Sequence, residues 1–421
     1  RRLLPHTADS RRRLLGQRPP DDLVVVANRL PVRLDADGQL TRSPGGLVSA
    51  PSAVNEGRND EHMQWVGWLG NASDDAPAPP LADGTMHAVP LQRHEVTGYY
   101  DGFCNSLLWP LFHGRLQRLE LNRSWWRTYR AVNQRFALTV ARVAPPDATV
   151  WIHDYHLLLV PAMLRARRRD LRIGSFLHIP FPPAQLFAAL PWRRELLLGM
   201  LAADMIGFQT RDDVDNFADS VERLVRGVRG RRERVTGIPA HAFPISVDFD
   251  QWSASGDRAA VAGSERRRGL EADIVFLGVD RLDYTKGIAN RLRAFGELLD
   301  QRRLDTATAV FVQIAVPSRD DIASYQEERD EIERLVREIN DRHRSDDGTQ
   351  PIVYINEQLD EAALAEWYRA ADCLVVTSLA DGMNLVAKEF VACRSDLRGS
   401  VILSEFAGAA NDLPGAMVVN P

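Results

Sequence analysis

The sequence predicts an α/β protein made of two Rossmann-like, doubly wound parallel-sheet domains. Three observations carry that prediction. Short apolar runs alternate with stretches of helical periodicity, and the alternation ends near residue 246 and begins again. Several runs lead into polar loops rich in charged residues and histidine, as expected at the carboxyl ends of parallel strands. At 421 residues, with 45% hydrophobic and 26% charged residues, the chain has ordinary globular composition and enough length for two large cores. Residues 1–22 read as an arginine-rich N-terminal tail, 23–246 as the first domain and 247–421 as the second.

The first domain opens with a buried strand, Leu23–Ala27 (LVVVA), ending in Asn28 and Arg29. The loop after it reaches Ser43, Pro44, Gly45 and Gly46. Paired glycines let backbone N–H groups approach a ligand, although a plain turn is their ordinary explanation. Gln64–Gly70 (QWVGWLG) alternates as a strand does. Tyr99–His113 (YYDGFCNSLLWPLFH) is dense in aromatics. It reads either as a core segment broken at Trp-Pro or as a platform for sugar rings. Thr149–His156 (TVWIHDYH) and Ile173–Pro183 (IGSFLHIPFPP) are strands whose ends carry His153, Asp154, His156 and His178. Met205–Thr210 (MIGFQT) follows one helix later. Val221–Arg234 is basic and reads as an exposed loop or helix end, since nucleic-acid grooves interleave aromatics with their cations.

The second domain repeats the plan with strands at Ile274–Val279, Ala309–Val316, Ile352–Ile355, Cys373–Thr377 and Val401–Ser404. The charged stretch Tyr325–Ile339 is helical. Two loops stand out. Val279–Gly287 (VDRLDYTKG) joins a strand to a helix with Ile288, Leu292, Phe295, Leu298 and Leu299 on one face. Leu379–Glu389 (LADGMNLVAKE) likewise joins strand to helix, where unpaired N–H groups favour phosphate. Leu385 and Glu389 are four apart and share a face, so the carboxylate could accept ribose hydroxyls.

The totals exclude several classes. A net charge of −5 and a pI of about 6.1 give no basic field for nucleic acid. Three scattered cysteines, Cys104, Cys373 and Cys393, fit a reducing compartment and no zinc site or disulfide framework. No apolar run approaches the roughly 20 residues that span a bilayer, and the N-terminus lacks a secretory pattern. A cytoplasmic protein is expected. No two glycines are spaced G-x-G, and neither lysine follows a Walker glycine, which counts against hydride transfer and P-loop chemistry.

A nucleoside-diphosphate leaving group suits Arg281 and Lys286. Of 52 Lys+Arg, only Lys286 and Lys388 are lysines, and each lies in one of the two loops. A lysine kept among arginines suggests a place for a compact ammonium. Two fixed cations could stabilise a departing diphosphate without a metal. The competing arrangement holds Mg²⁺ on an Asp-x-Asp pair, and such pairs occur at Asp35/Asp37, Asp213/Asp215 and Asp248/Asp250.

Taken together and in order, VVVANRLP, SPGGL, WVGWLG, YYDGFCNSLLWP, VWIHDYHLLLVP, GSFLHIPFP, GFQT, VDRLDYTKG, PSR, YQ, DGMNLVAKE and LSEFAGAA resemble the trehalose-6-phosphate synthases. These are retaining glycosyltransferases of family 20 with the GT-B fold, in which two Rossmann-like domains face each other across a cleft. The resemblance implies transfer of glucose from a nucleoside-diphosphate glucose to glucose 6-phosphate, giving α,α-trehalose 6-phosphate. It implies a metal-independent, front-face reaction with no cofactor. It places Gly45, Gly46, Arg281, Lys286, Asp381, Leu385, Val386 and Glu389 on the donor. His178 contacts the donor sugar, and Asp154 binds a sugar hydroxyl near the reacting centre. Arg29, Trp68, Tyr100, Trp109 and Arg319 hold the acceptor with Asp154. Arg281, Lys286, Asp154 and His178 form the expected catalytic set.

UDP-glucose is the family's usual donor. Leu359, where several relatives carry an aromatic, leaves GDP- and ADP-glucose open. The family continues past the position of Pro421 into further helices, so domain closure is expected to be incompletely represented. A homo-oligomer is left open. Two other readings are a non-catalytic sugar-phosphate sensor, which could have lost ligand residues, and a same-fold enzyme joining a cyclitol to an amino sugar phosphate, which would alter the donor-sugar residues.

Overall fold

The computed structural model describes residues 22–34, 40–42, 63–72, 84–226, 237, 239–318, 323–345 and 348–421. The expected sites Gly45, Gly46 and Arg319, the pair Asp35/Asp37 and the tail 1–21 lie outside the described residues. The chain divides into two compact units, 1–243 and 244–421.

In the first unit the strands are β1 (Leu23–Arg29), β2 (Val32–Leu34), β3 (Leu40–Arg42), β4 (Met63–Trp68), β5 (Met86–Ala88), β6 (Thr149–His153), β7 (Arg172–Phe176), β8 (Met205–Phe208) and β9 (Ala240–Ala242). Among the described residues, seven form one parallel sheet in the order β5-β4-β1-β6-β7-β8-β9, while β2 and β3 pair as an antiparallel hairpin. The chain starts in the middle, runs to one edge, then returns and runs to the other. The order reverses between β1 and β6, which opens a crevice at their carboxyl ends. Residues Val24, Val25 and Val26 of β1 are fully buried, as expected of a central parallel strand covered on both faces.

The second unit repeats this order. Its strands are β10 (Ile274–Arg281), β11 (Ala309–Val316), β12 (Ile352–Ile355), β13 (Cys373–Val376), β14 (Ser400–Ser404) and β15 (Met417–Val419). They lie parallel as β12-β11-β10-β13-β14-β15, with the reversal between β10 and β13. Successive residues of β11 feed different cores. Val310, Val312 and Ile314 join Leu374, Ala387 and Phe390, while Phe311 and Ala315 join Leu292, Phe295 and Ile332. Alternation along a strand covered on both faces is the doubly wound arrangement.

The edge strands β5, β9 and β15, three residues each, are too short to be read as strands. The segment read as either a core segment broken at Trp-Pro or a sugar platform is helical, with no break at Trp-Pro. Val96–Leu108 is a π-helix that leads into Trp109–Phe112. The Trp109 N–H donates to the Cys104 carbonyl, five residues back. Pro110 falls at the start of the following helical turn, where a missing N–H costs little. The helix sends Tyr99 and Phe103 into the core and leaves Tyr100 half-buried.

The turn after β10 requires its glycine. Gly287 has φ +64°, and a Cβ there would lie 2.3 Å from the Thr377 carbonyl oxygen. Gly287→Ala is therefore expected to destabilise the second unit by more than about 1 kcal/mol. Urea unfolding of the two proteins, read as a shift in midpoint at unchanged slope, checks this.

Candidate active site

Each sheet places candidate residues at the carboxyl ends of the two strands that flank the reversal in strand order. In the second unit these are β10 and β13. The loop after β10 divides its labour by charge. Asp283 is fully buried. Its Oδ1 accepts from the Thr285 N–H at 3.0 Å and the Thr285 hydroxyl at 2.8 Å, and its Oδ2 accepts from the Tyr325 hydroxyl at 3.3 Å. Asp280 is paired with the buried guanidinium of Arg291. Arg291 also donates to the Val375 carbonyl on β13 at 2.6 Å and to the Lys286 carbonyl at 3.2 Å. One guanidinium thus ties β10, the loop and β13 together. With its acids engaged beneath, the loop presents Arg281, which is exposed, and Lys286.

The Lys286 ammonium lies 2.6 Å from Asp381 Oδ2. The same oxygen accepts from the Ser378 hydroxyl at 3.2 Å and the Asn384 amide at 3.1 Å. Asn384 sits at φ +76°, an unusual conformation for a residue with a Cβ. Its Oδ1 accepts from the Ala387 N–H at 3.1 Å and so caps the helix Leu385–Cys393. The N–H groups of Leu385 and Val386 form the first turn of that helix, an anion-binding arrangement. On the next turn, Glu389 Oε2 accepts from the Tyr368 hydroxyl at 2.8 Å. Part of the carboxylate's capacity is therefore spent inside the protein, and burial pushes its pKa up.

Lys388 does not share this role. It is 8% exposed, and its ammonium donates to the Ile245 carbonyl at 2.7 Å and pairs with Asp412 at 2.6 Å. The expectation that both lysines mark ligand loops fails for this one, because its place on the helix turns it into the protein.

In the first unit the flanking strands are β1 and β6. A register shift between Val26 and Arg29 aligns Arg29 with Trp68 on β4. The Arg29 guanidinium lies 4.5 Å from the Trp68 ring and 5.3 Å from the Tyr100 ring, and these rings meet edge-on at 5.6 Å. An exposed guanidinium stacked on two aromatics is held in place yet keeps in-plane donors for an anion. The neighbouring Asn28 turns inward and accepts from the Tyr99 hydroxyl at 2.9 Å. Trp109 lies deeper, 5% exposed, packed on His113 and Tyr155. His156, not assigned a role from sequence, stacks on Tyr100 at 5.9 Å and connects this cluster to the end of β6.

At that end Asp154 adopts φ +73°, ψ 173°. This region is essentially reserved for glycine and costs of order 1–3 kcal/mol for other residues. The surroundings hold it there. Its N–H donates to the Phe176 carbonyl at 2.7 Å, and its Oδ1 accepts from the His178 N–H at 3.2 Å. His178 Nε2 lies 3.0 Å from His153 Nδ1. Burial lowers the His178 pKa to about 4, and burial followed by the neighbouring imidazole lowers that of His153 well below its usual value.

Among the described residues no cluster of three metal-ligating side chains occurs. Asp213 caps the helix Arg211–Val221 through Thr210 and also accepts from the Phe181 N–H at 2.7 Å. Asp248 caps the helix Phe249–Arg258. Two of the three Asp-x-Asp pairs thus contain a residue engaged as a helix cap. No helix among the described residues is long and apolar enough to cross a membrane.

Residues 21–421 match the family model described as glycosyltransferase family 20. The trehalose-6-phosphate synthase of Mycolicibacterium smegmatis is 45% identical over 422 residues, covering 95% of this chain and 82% of that protein. The synthase of Mycobacterium tuberculosis strain H37Rv is 46% identical over 432 residues, covering 95% and 85%. Among solved structures, an α,α-trehalose-phosphate synthase (UDP-forming) from Burkholderia xenovorans in complex with glucose 6-phosphate superposes with a TM-score of 0.84 at 34% identity, over 95% of this chain and 89% of that one. An E. coli structure bound with UDP-2-fluoro glucose gives 0.82 at 32%, over 95% and 88%.

The imidazole pair gives a pH dependence of stability. Between about pH 6.5 and 4, an unfolded His178 binds a proton that the folded one refuses. The unfolded state then holds more protons, so stability falls with acidification, by about 3 kcal/mol across the window for one such group. Urea unfolding at stepped pH is expected to show a steeper loss for the parent protein than for His178→Gln.

Proposed function

Because the chain belongs to the trehalose-6-phosphate synthases of glycosyltransferase family 20, we propose that it transfers glucose with retention of configuration from a nucleoside-diphosphate glucose, UDP-glucose first among them, to glucose 6-phosphate, without a metal. The observation that carries this reading is the Lys286 ammonium at the reversal between β10 and β13, fixed at 2.6 Å from Asp381 beside exposed Arg281.

The chemistry follows from where charge develops. The bond from the donor's anomeric carbon to the diphosphate breaks, and negative charge builds on the phosphate oxygens. Arg281 and Lys286 stabilise that charge. An ammonium has three donors, so Lys286 can keep Asp381 and still meet a phosphate oxygen. One charge pair at about 4 Å and an effective dielectric near 20 contributes roughly 4 kcal/mol. Expressed only in the transition state, that is about a thousandfold in rate. The first-turn N–H groups of Leu385 and Val386 add donors for the diphosphate, a role that the family resemblance also gives to Gly45 and Gly46. Asp381 meets the glucosyl hydroxyls. Glu389, oriented by Tyr368, receives the ribose.

Arg29, Trp68, Tyr100, Trp109 and Arg319 hold the acceptor. Arg29, stacked on Trp68 and Tyr100, meets the phosphate of glucose 6-phosphate. Asp154 takes a sugar hydroxyl near the reacting carbon, and His178 contacts the donor sugar. The acceptor's anomeric hydroxyl attacks the oxocarbenium-like carbon from the face the diphosphate leaves, and its proton passes to the departing phosphate oxygen. The products are α,α-trehalose 6-phosphate and nucleoside diphosphate, and no protein nucleophile is required. Leu359 packs on the apolar core of the second unit. At this position the donor base meets an aliphatic group, and comparison of donors reads its effect.

Glucose 6-phosphate is incubated with UDP-, GDP- or ADP-glucose, with and without EDTA. Nucleoside diphosphate release that EDTA does not reduce is expected, fastest with UDP-glucose. No release with any donor overturns the catalytic reading, and loss with EDTA overturns the metal-free one. Lys286→Ala is expected to lower kcat by two to three orders of magnitude, roughly the loss of one charge contact, with little change in KM for glucose 6-phosphate. A change confined to acceptor KM would assign the lysine to the other substrate.

A further inference from the structure

The HDYH segment carries an imidazole that the reading above leaves without a role. His153 is the last residue of β6 and is 2% exposed. Its Nδ1 lies 3.0 Å from Nε2 of His178, and the rings are nearly parallel, with centroids 5.2 Å apart. Its other nitrogen, Nε2, is sealed from solvent and has no hydrogen-bond partner among the described residues. Only one proton can lie between the two rings, so one imidazole donates and the other accepts.

The sealed nitrogen decides which. A buried N–H with nothing to accept it forfeits a hydrogen bond that water would supply, and such orphans are rare in folded proteins. A bare ring nitrogen in the same place leaves no donor stranded. The proton of neutral His153 therefore belongs on Nδ1, where it is donated to His178 Nε2. His178 Nε2 is then the acceptor, and the proton of neutral His178 is on its Nδ1. Both imidazoles are neutral near pH 7, since burial disfavours their charged forms. In water the imidazole side chain favours the opposite tautomer, with its proton on Nε2.

We propose that His153 is a positioning residue that fixes His178 as the Nδ1–H tautomer, so that His178 offers a hydrogen-bond donor to a hydroxyl oxygen of the bound donor sugar. The identity of that ligand rests on the proposed function; the tautomer does not. The backbone supports the same placement, because the His178 N–H is tied to Asp154 Oδ1 at 3.2 Å, fixing the ring's origin as His153 fixes its rotation.

The test separates the two. Histidine-selective ¹⁵N labelling of the full chain, with His178→Gln to assign the signal, reports which nitrogen of His178 carries the proton. The expected spectrum shows Nδ1 protonated and Nε2 bare. His153→Leu removes the donor, and His153→Asn returns an amide N–H near the position of Nδ1. In the Leu variant the His178 Nε2 lone pair loses its donor, so its ¹⁵N signal is expected to lose the shift that the hydrogen bond gives it, and KM for the nucleotide sugar to rise about tenfold with KM for glucose 6-phosphate unchanged, because nothing then fixes the ring's rotation. The Asn variant is expected to restore both. An Nε2-protonated His178 in the parent protein overturns the proposal, and that spectrum needs no variant to fold. An unchanged His178 Nε2 signal and donor KM in a folded Leu variant overturns it equally. Absence of nucleoside diphosphate release by the parent protein overturns the proposed function instead and leaves the spectrum to judge the tautomer.

Discussion

The candidate site of the second unit depends on one buried ion pair. Arg291 lies on the helix Ile288–Asp300 and reaches under the loop to Asp280, the Val375 carbonyl and the Lys286 carbonyl. A pair this deep contributes little net stability, because desolvation offsets most of the attraction. Its value is geometric. It joins the ends of β10 and β13, the two strands that diverge at the reversal, and holds the backbone of the lysine between them. Removal of either partner would leave an uncompensated charge inside the sheet end, so the loop can hardly relax alone.

The first unit reaches comparable precision through strain and stacking. The register shift in β1 points Asn28 inward and Arg29 outward. Asp154 is held where only glycine sits freely, by hydrogen bonds at its backbone N–H and carbonyl and by one that its carboxylate accepts from the His178 backbone N–H. Such strain persists where the surroundings over-determine a residue. Here it aims a carboxylate beside a pair of neutral imidazoles. The aromatic cluster Trp68, Tyr100 and His156 then links Arg29 to this strand end through ring contacts.

Much of this was legible in the residues. The apolar runs of β11 and β12 match their strands end to end, and β11, a central parallel strand, is apolar on both faces. The loop VDRLDYTKG stood out as a candidate site from its position and its lysine. Its internal division was not. Asp280 and Asp283 read from sequence as loop acids like any others, and only their burial separates them from Arg281 and Lys286. Arg291 left a signal that went unused, a cation on the same helix face as Ile288, Leu292 and Phe295. Lys388 misled for the converse reason. Its rarity by type suggested function, whereas its partners, Ile245 and Asp412, are distant in sequence and make it a structural tie.

The sequence by itself determined the α/β class, the family and the order of the motifs, because these rest on local periodicity and on residue types at fixed spacing. It could not determine which strands neighbour one another. The reversal between β10 and β13 brings together Lys286 and Asp381, and the pairing of β6 with β7 brings together His153 and His178. The first pair is separated by 95 residues and the second by 25. It also could not assign a π-helix to Val96–Leu108, whose aromatic pattern fits no ordinary period. Hydrogen-bond partners, burial and backbone strain are properties of the packed chain. They alone decide which of several identical charges is placed at a candidate site and which is spent on the fold.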